Sequence, residues 1–512
     1  MHVVAHFAPD ARPIAPDGHH VAVPLPESLV VARDARTSRV PLRTATFCAM
    51  SPTALLAAVS LFASPQEPPV RALVVSGANN HEWQWTSPEI ASALTESGRF
   101  VVTITNKPAT DLVDCKRLAA AGELHVIVLD YNGPRWGEAA ERGFLDAVNS
   151  GVGVTVLHAA NNAFKGWTEY ERMVGLLWRD GTGHGAYHPF DVNVVDRHHP
   201  VTAGMPDLRL HPDELYHQLV LGEGAEFRVL LSAFSDPKTG GTGRYEPMAT
   251  VATFGKGRIF HTPLGHVWNG VPASRATWLD PQLRRLVARG TEWAASGAVT
   301  LDPRPLNWLS DDERAEGFQL LFNGREPVAW RGYRSQQMPQ KGWTVREGAI
   351  VCEKRGGGGD LVSNDEYGDF DFRFSFRVSA GANSGVMWHV LEDAEQTYMT
   401  GPEYQVLDDE GAKHDPKHGV GALYDLKAPT GVTARKAGAW NDGRIVVKDG
   451  RVTFWLNGAQ VVDVPCRGPE WDAMVAASKF RDWPFGKAAR GRLALQDHGD
   501  EVAYRNLRVR AF

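Results

Sequence analysis

RIVVKDGRVTFWLNGAQVVDV, residues 444–464, decides the fold of the C-terminal half. Apolar and polar residues alternate along it, and the dipeptides Asp449-Gly450 and Asn457-Gly458 interrupt the alternation. Alternation sends successive side chains to opposite faces of a strand, one wet and one buried. Asp-Gly and Asn-Gly both suit the two-residue type I′ turn, which needs a positive φ at each central position. The stretch therefore predicts antiparallel strands joined by two successive hairpins.

The same signature recurs on either side. FDFRFSFRV (370–378) alternates Phe with Asp, Arg and Ser, while GRLALQDHG (491–499) and VAYRNLRVRAF (502–512) close the chain as two further strands. Gly356–Gly359 joins two strands and opens no helix, so it is a turn rather than a phosphate cradle. Helix-poor and Gly-turned, residues 315–512 predict a β-sandwich or jelly roll.

Upstream the period changes. RALVVS (71–76), FVVTIT (100–105), LHVIVLDY (124–131) and GVGVTVL (151–157) are short apolar runs separated by helical stretches. That order predicts βαβ units and a parallel sheet covered on both faces. Thr86-Ser87-Pro88-Glu89 has the residues of a capped helix start. The block ends near Gly297, after LRRLVARGTEWAASG, and spans 70–297; residues 298–314, with two Pro and a capped turn, form the linker. The fold class is multidomain: an α/β domain followed by an all-β sandwich.

Residues 1–49 lack periodicity and read as disordered or as an over-extended start. From Met50 the run SPTALLAAVSLFASPQEPP has the length and small-residue exit of a signal peptide, assigned to 50–66, although Arg39 and Arg43 precede Met50. It is too short to span a bilayer stably, and it predicts export to the periplasm or beyond. With 512 residues and a net charge of −6, the chain shows no run of Lys or Arg; neither nucleic acid nor an anionic membrane is an expected partner. Its four Cys (Cys48, Cys115, Cys352, Cys466) show no CxxC or Cys/His spacing, which excludes a disulfide framework and a standard zinc motif. Oligomeric state is not legible.

In an open α/β sheet, ligands bind beyond the carboxyl ends of the strands. Those ends carry Asn79, Asn80 and His81, then Asp130 and Tyr131, then His158. A tight strand-to-helix turn lifts residue 158 into the cleft, the geometry used for Cys and Ser nucleophiles. The residue there is His.

In the C-terminal half, polar residues share faces. Glu403, Gln405 and Leu407 lie on one parity, as do Arg492, Ala494, Gln496 and His498, and as do Asn383 and His389. If those strands are neighbours, Glu, Gln, His and Asn line one concave strip. Such groups bind sugars through planar hydrogen bonds beside an aromatic platform, here Trp388. The outward face of an antiparallel sheet is also polar by default, so repetition of Glu, Gln and His is what argues for a site. Arg505 shares parity with Leu507 and Val509. It reads as a buried residue needing Asp408 or Asp497 as partner, or as a substrate contact. The loop Asp408, Asp409, Glu410, His414, Asp415, His418 matches no standard metal spacing. No structural metal is expected there, and a catalytic divalent ion is left open.

Residues 71–297 resemble the trehalose-utilisation (ThuA-like) family, which shares the flavodoxin-like fold of class I glutamine amidotransferases. The resemblance rests on GANNHEW, VTVLHAANNAFKGW, HHPVTAGMP, HPDELYH and GKGRIFHTPLGH. His158 stands where an amidotransferase has Cys, so glutamine hydrolysis is not implied. His81, His158, Glu214 and His266 are the candidate site residues; the alternative is that they satisfy strand-end backbone groups.

Residues 316–512 resemble the 3-keto-disaccharide hydrolase domain family, a concanavalin-like jelly roll. The match runs through GFQLLFNG, GWTVREGAIV, ANSGVMWHV, GPEYQVLDD, GALYDL, SKFRDWPFG and GRLALQDHGDEVAYRNLRVR. Members of that family often carry Arg where His389 stands. The resemblance implies a carbohydrate-active enzyme acting on glycosides oxidised at C3. A C3 ketone acidifies the C2 proton, so cleavage can run by proton abstraction, loss of the C1 oxygen and addition of water. Glu403 and His498 are then the base and acid. Gln405, Gln496 and Asn383 hold hydroxyls or the ketone, with Trp388, Asp408 and Arg505 as further substrate contacts. A two-carboxylate glycosidase would need Glu403 and Asp408, which lie on opposite parities. The rival class is an extracellular glycan-binding protein with a degenerate first domain; a third option places the main reaction in that first domain.

Overall fold

A computed structural model of the chain describes residues 68–410, 415–431 and 433–512. The irregular start, the signal-like run and His414 lie outside the described residues.

Nine strands form the sheet of the first domain. Phe100–Thr105, Val70–Val75, Val126–Leu129, Gly153–Leu157 and Gly257–Thr262 lie side by side and parallel. Tyr245–Phe254, Phe227–Phe234, His188–Val194 and Leu208–Asp213 continue the sheet antiparallel. The parallel half follows from the alternation of apolar runs and helices. The antiparallel extension was not expected, because its strands come in direct succession with no crossover helix.

The first helix, Trp83–Glu96, begins before the hydroxyl pair expected to cap it, and Pro88 falls inside its opening turns. Thr86 and Ser87 are engaged elsewhere: both hydroxyls donate to Asp130 Oδ2 at 2.7 Å. The last helix, Pro281–Ser296, keeps its sequence signals. Asp280 accepts from the Gln282 N–H, Pro281 opens the first turn, and Gly297 ends it with φ 80°.

The second domain is a sandwich. One sheet runs Trp343–Arg346, Ala349–Cys352, Val502–Ala511, Phe370–Val378, Asn441–Lys448, Arg451–Leu456, Ala459–Pro465, with Gln319–Leu320 beside Val502–Ala511. The other runs Trp330–Gly332, Leu361–Tyr367, Gly491–Leu495, Asn383–Val390, Glu403–Leu407. Both hairpins of 444–464 form as the dipeptides dictate: φ is 51° at Asp449 and 75° at Gly450, 50° at Asn457 and 84° at Gly458.

The core lies between the sheets. Phe370, Phe372, Phe374 and Phe376, with Phe454 of the same sheet, face Trp388 and Tyr404 across it. Each such ring contributes roughly 1.5–3 kcal/mol by leaving water. On the opposite face of the same strand, Asp371 is buried yet held by Arg373, Arg444 and Arg510. Glu89 ties the two domains together, meeting Arg284 at 3.0 Å and Arg325 at 2.6 Å.

Candidate functional site

Three of the segments with shared polar parity are neighbours in the five-stranded sheet. Gly385 pairs with Gln405, Met387 with Glu403, and Met387 with Ala494 on the other side. Tyr404, Val406, Leu493 and Leu495 point into the core, so Glu403 and Gln405 point away from it. That outward face is nevertheless buried, since the segment 421–427 and the loop 478–486 lie over its edge. Gln405 N–H donates to Ala422 O, and Tyr424 N–H to Glu403 O. The middle of the floor is apolar, made of Val362, Met387, Val390 and Ala494 with Tyr333 and Tyr398 beside them.

Glu403 is 6 % exposed. Burial pushes its carboxyl up to about 8; the Lys479 ammonium pulls it down and Asp360 adds to the rise. Burial likewise raises Asp360, against hydrogen bonds from Thr397 Oγ1 and the Asp497 amide and against the charge of His498. Asp360 thus feels the charge of His498, and Glu403 in turn feels that of Asp360. Lys479 Nζ lies 4.4 Å from the centre of the Tyr424 ring and 3.3 Å from its hydroxyl. Two buried acceptors on this face, Gln405 Oε1 and Asn383 Oδ1, have no hydrogen-bond partner among the described residues. A buried acceptor left bare costs about 1–3 kcal/mol, and a sugar hydroxyl is the kind of donor that would satisfy it.

Gln496 is half-buried, its N–H on Gly385 O at 3.0 Å, and His498 is exposed. Three expected contacts belong elsewhere. Trp388 is 1 % exposed and packs edge-on to Phe454 inside the core, as its parity requires. Aromatic rings of the covering loops are Tyr398 and Trp483, 5.5 Å apart, and Tyr424. Arg505 lies on the opposite sheet. An irregular register beside it and φ 56° at Asn506 break the parity with Leu507, so its guanidinium sits 3.8 Å above Trp440 and donates to Glu96 O. Asp408 accepts from the N–H groups of Gly381 and Glu410 and shapes a loop. His418 in the same loop meets Asp425 at 2.9 Å. His389, at φ 52°, is pinned to Gly368 O through Nε2. Sequence reasoning missed Asp360, Lys479 and Tyr424, although the latter two lie inside the quoted stretches SKFRDWPFG and GALYDL.

The four candidates of the first domain do converge. His81 follows the strand Val70–Val75, His158 follows Gly153–Leu157 at φ 45°, and His266 follows Gly257–Thr262. Their ring centres are 4.5–4.9 Å apart. Glu214 Oε2 comes from the antiparallel extension to 3.2 Å from His266 Nδ1 and 3.4 Å from His184 Nδ1. Asp213 orders this corner by accepting from the N–H groups of Gly265 and His266. Burial pushes His81 down to about 4 and His266 to about 3, and lowers His158 as well, so the three rings are neutral at neutral pH. His211 is the contrast: burial opposes its charge, but Asp213 and Asp280 on either side push it up to about 9.

Both domains therefore carry buried titratable groups, and similarity to a 3-keto-disaccharide hydrolase makes the protein an enzyme of the glycosidic-bond hydrolase or lyase class. Residues 317–510 match the family model described as a 3-keto-alpha-glucoside-1,2-lyase-like domain, and residues 71–294 match that for trehalose utilisation. A 3-keto-disaccharide hydrolase of Bacteroides thetaiotaomicron is 31% identical over 252 residues, covering 43% of this chain and 87% of that protein. The chain belongs to the 3-keto-disaccharide hydrolase family, with a ThuA domain ahead of the family's jelly roll. Among solved structures, a proposed glycosyl hydrolase of Parabacteroides distasonis is 29% identical, covering 40% of this chain and 99% of that one, TM-score 0.38. A ThuA-like protein of Parabacteroides merdae is 34% identical, covering 46% and 93%, TM-score 0.40. Among the described residues no helix is long and apolar enough to cross a membrane.

Proposed function

We propose that the C-terminal domain cleaves glycosides already oxidised to the ketone at C3, by elimination followed by hydration. Glu403 takes the C2 proton, the C1–O bond breaks, and the departing oxygen receives a proton from His498 at the mouth of the site. The product ring carries a C1=C2 double bond conjugated to the ketone, and water added across it completes a net hydrolysis. Lys479 steadies the negative charge that gathers on the C3 oxygen as the C2 proton leaves. Gln405 Oε1 and Asn383 Oδ1 accept from substrate hydroxyls.

The observation that carries this is the Glu403 carboxyl, buried on the outward face of its strand, where burial raises its basicity far above that of an ordinary carboxylate. A base works best when its pKa lies near the working pH. The name of the Bacteroides relative supports the substrate class. The test is a 3-keto-glucoside deuterated at C2. Slower turnover of the labelled substrate, with activity lost in Glu403→Gln and His498→Ala, is expected; full activity in both variants sinks the assignment. We also propose that the chain is exported through the run after Met50. Sequencing of the mature N-terminus after expression in a bacterium with a periplasm tests this, and an N-terminus still carrying that run overturns it.

A further inference from the structure

Three buried imidazoles of the first domain, His81, His158 and His266, turn ring nitrogens toward one point. His158 Nδ1 is 2.7 Å from Pro263 O. A carbonyl only accepts, so Nδ1 carries the proton and His158 Nε2 carries a lone pair, 3.0 Å from the Tyr216 hydroxyl. His81 Nδ1 faces Asn79 Oδ1 at 3.2 Å. The Asn79 amide cannot be turned round, because its Nδ2 donates to Asp130 Oδ1. His81 Nδ1 is therefore the protonated nitrogen, and His81 Nε2 is bare too. These two unprotonated nitrogens point at each other across 3.4 Å, and the Tyr216 hydroxyl stands beside them, 3.0 Å from His158 Nε2. His266 Nδ1 stands 3.0 Å from the same His158 Nε2.

A cation resolves the contact. Imidazole nitrogens bind zinc at about 2.0–2.1 Å, and two of them in a tetrahedral shell then lie roughly 3.3–3.4 Å apart. The ligand atoms of all three rings fall within 4.8 Å of one another. Each bare nitrogen also has the outer partner that metal-bound histidines use to fix their ring: Pro263 O for His158, and Asn79 backed by Asp130 for His81. A further sign comes from Glu214. Its Oε2 is buried beside His266 without a properly aligned hydrogen bond. It is an acceptor waiting for a donor. Trp268 borders the corner, 42 % exposed and with its ring 4.3 Å from that of His266.

We propose that His81, His158 and His266 bind one divalent transition metal of the zinc and cobalt class, leaving a coordination position for an oxygen ligand. Three nitrogen donors favour such an ion over magnesium or calcium, which take oxygen shells. The oxygen ligand is water or a sugar hydroxyl, its proton directed at Glu214 Oε2 and its ring laid against Trp268. The first domain is then a second reactive centre rather than a degenerate scaffold. This stands independently of the roles given to Glu403 and His498.

The test uses the full chain, stripped with a chelator and titrated with Co²⁺, the visible ligand-field absorption of the bound ion being the readout. One Co²⁺ per chain is expected, with the intense spectrum of a four-coordinate site. His158→Ala and His81→Ala abolish the band, whereas Glu403→Gln keeps it. If either His variant loses its native circular dichroism, Asn79→Leu decides. Loss of that outer partner weakens Co²⁺ binding about 10–100-fold if the rings are ligands. A chain that binds no Co²⁺, a band that survives in folded His variants, or unchanged affinity in Asn79→Leu overturns the proposal.

Discussion

Glu403 leans over Gly385: a Cβ added at residue 385 would lie 2.0 Å from Glu403 Oε1. The strand partner of Gly385 is Gln405, one step along from Glu403, and the missing side chain is the space the carboxyl occupies. Gly385→Ala therefore pushes the carboxyl out of place, since the new Cβ would meet the Glu403 side chain from Cγ at 2.7 Å to Oε1 at 2.0 Å. A misplacement near 1 Å costs about 10²-fold in rate. The expected outcome is that loss in kcat/KM on a 3-keto-glucoside, with a thermal midpoint close to wild type. Retained activity would show that the position of Glu403 does not matter.

The pH dependence of Glu403 has a definite sign. As the base it acts without its proton, so kcat/KM rises with pH through an ascending limb near 8 and then levels. Glu403→Gln removes the limb and lowers activity by about 10²–10⁴-fold. Stability moves the other way. A carboxyl raised from the ordinary range to about 8 holds its proton more tightly folded than unfolded. Its contribution is full below about pH 4.5 and is lost as pH rises through 8, by an amount on the order of a few kcal/mol. Above pH 8 the Gln variant should thus unfold at the higher temperature, read by calorimetry across pH.

Lys479 links the loop 478–486 to the chemistry. Removing its charge in Lys479→Met lowers kcat by about 10²–10³-fold if it stabilises the developing oxyanion. It also shifts the Glu403 limb to higher pH, because the ammonium lowers that carboxyl's pKa. A merely structural lysine would leave the limb where it was, and measuring the full pH profile of the variant separates the two.

The alternating strands and the dipeptide turns were legible because period and φ are local properties. Asp449-Gly450 and Asn457-Gly458 turn as their residues require. The convergence of His81, His158, Glu214 and His266 was legible too, since strand ends of one sheet meet at one edge. Parity placed Glu403 and Gln405 on the outward face. It failed for Arg505, where the irregularity around Asn506 reverses the face, something no periodicity shows. Trp388 was misassigned against its own parity. Lys479 and Tyr424 were beyond reach because they lie in loops, whose position depends on how the whole sandwich folds back on itself.

On the same face of the sheet, Glu392 locks two strands together. It accepts from Arg331 Nη1 and Nη2 at 2.8 and 2.6 Å, from Arg492 Nε at 2.9 Å and from the Arg334 N–H at 2.8 Å. The Arg331 hydrogen bonds, working against burial, hold its carboxyl down at about 2. A depressed carboxyl stabilises the fold above the ordinary carboxyl pKa and loses that contribution as pH falls toward 2. Glu392→Gln keeps the shape but gives up the charge, at a cost of about 1.5–3 kcal/mol for hydrogen bonds to a charged group. Denaturant unfolding at pH 7 should show that difference, and the two proteins should converge as the pH approaches 2. An equal gap at both pH values would mean that Glu392 acts through packing and not through its charge.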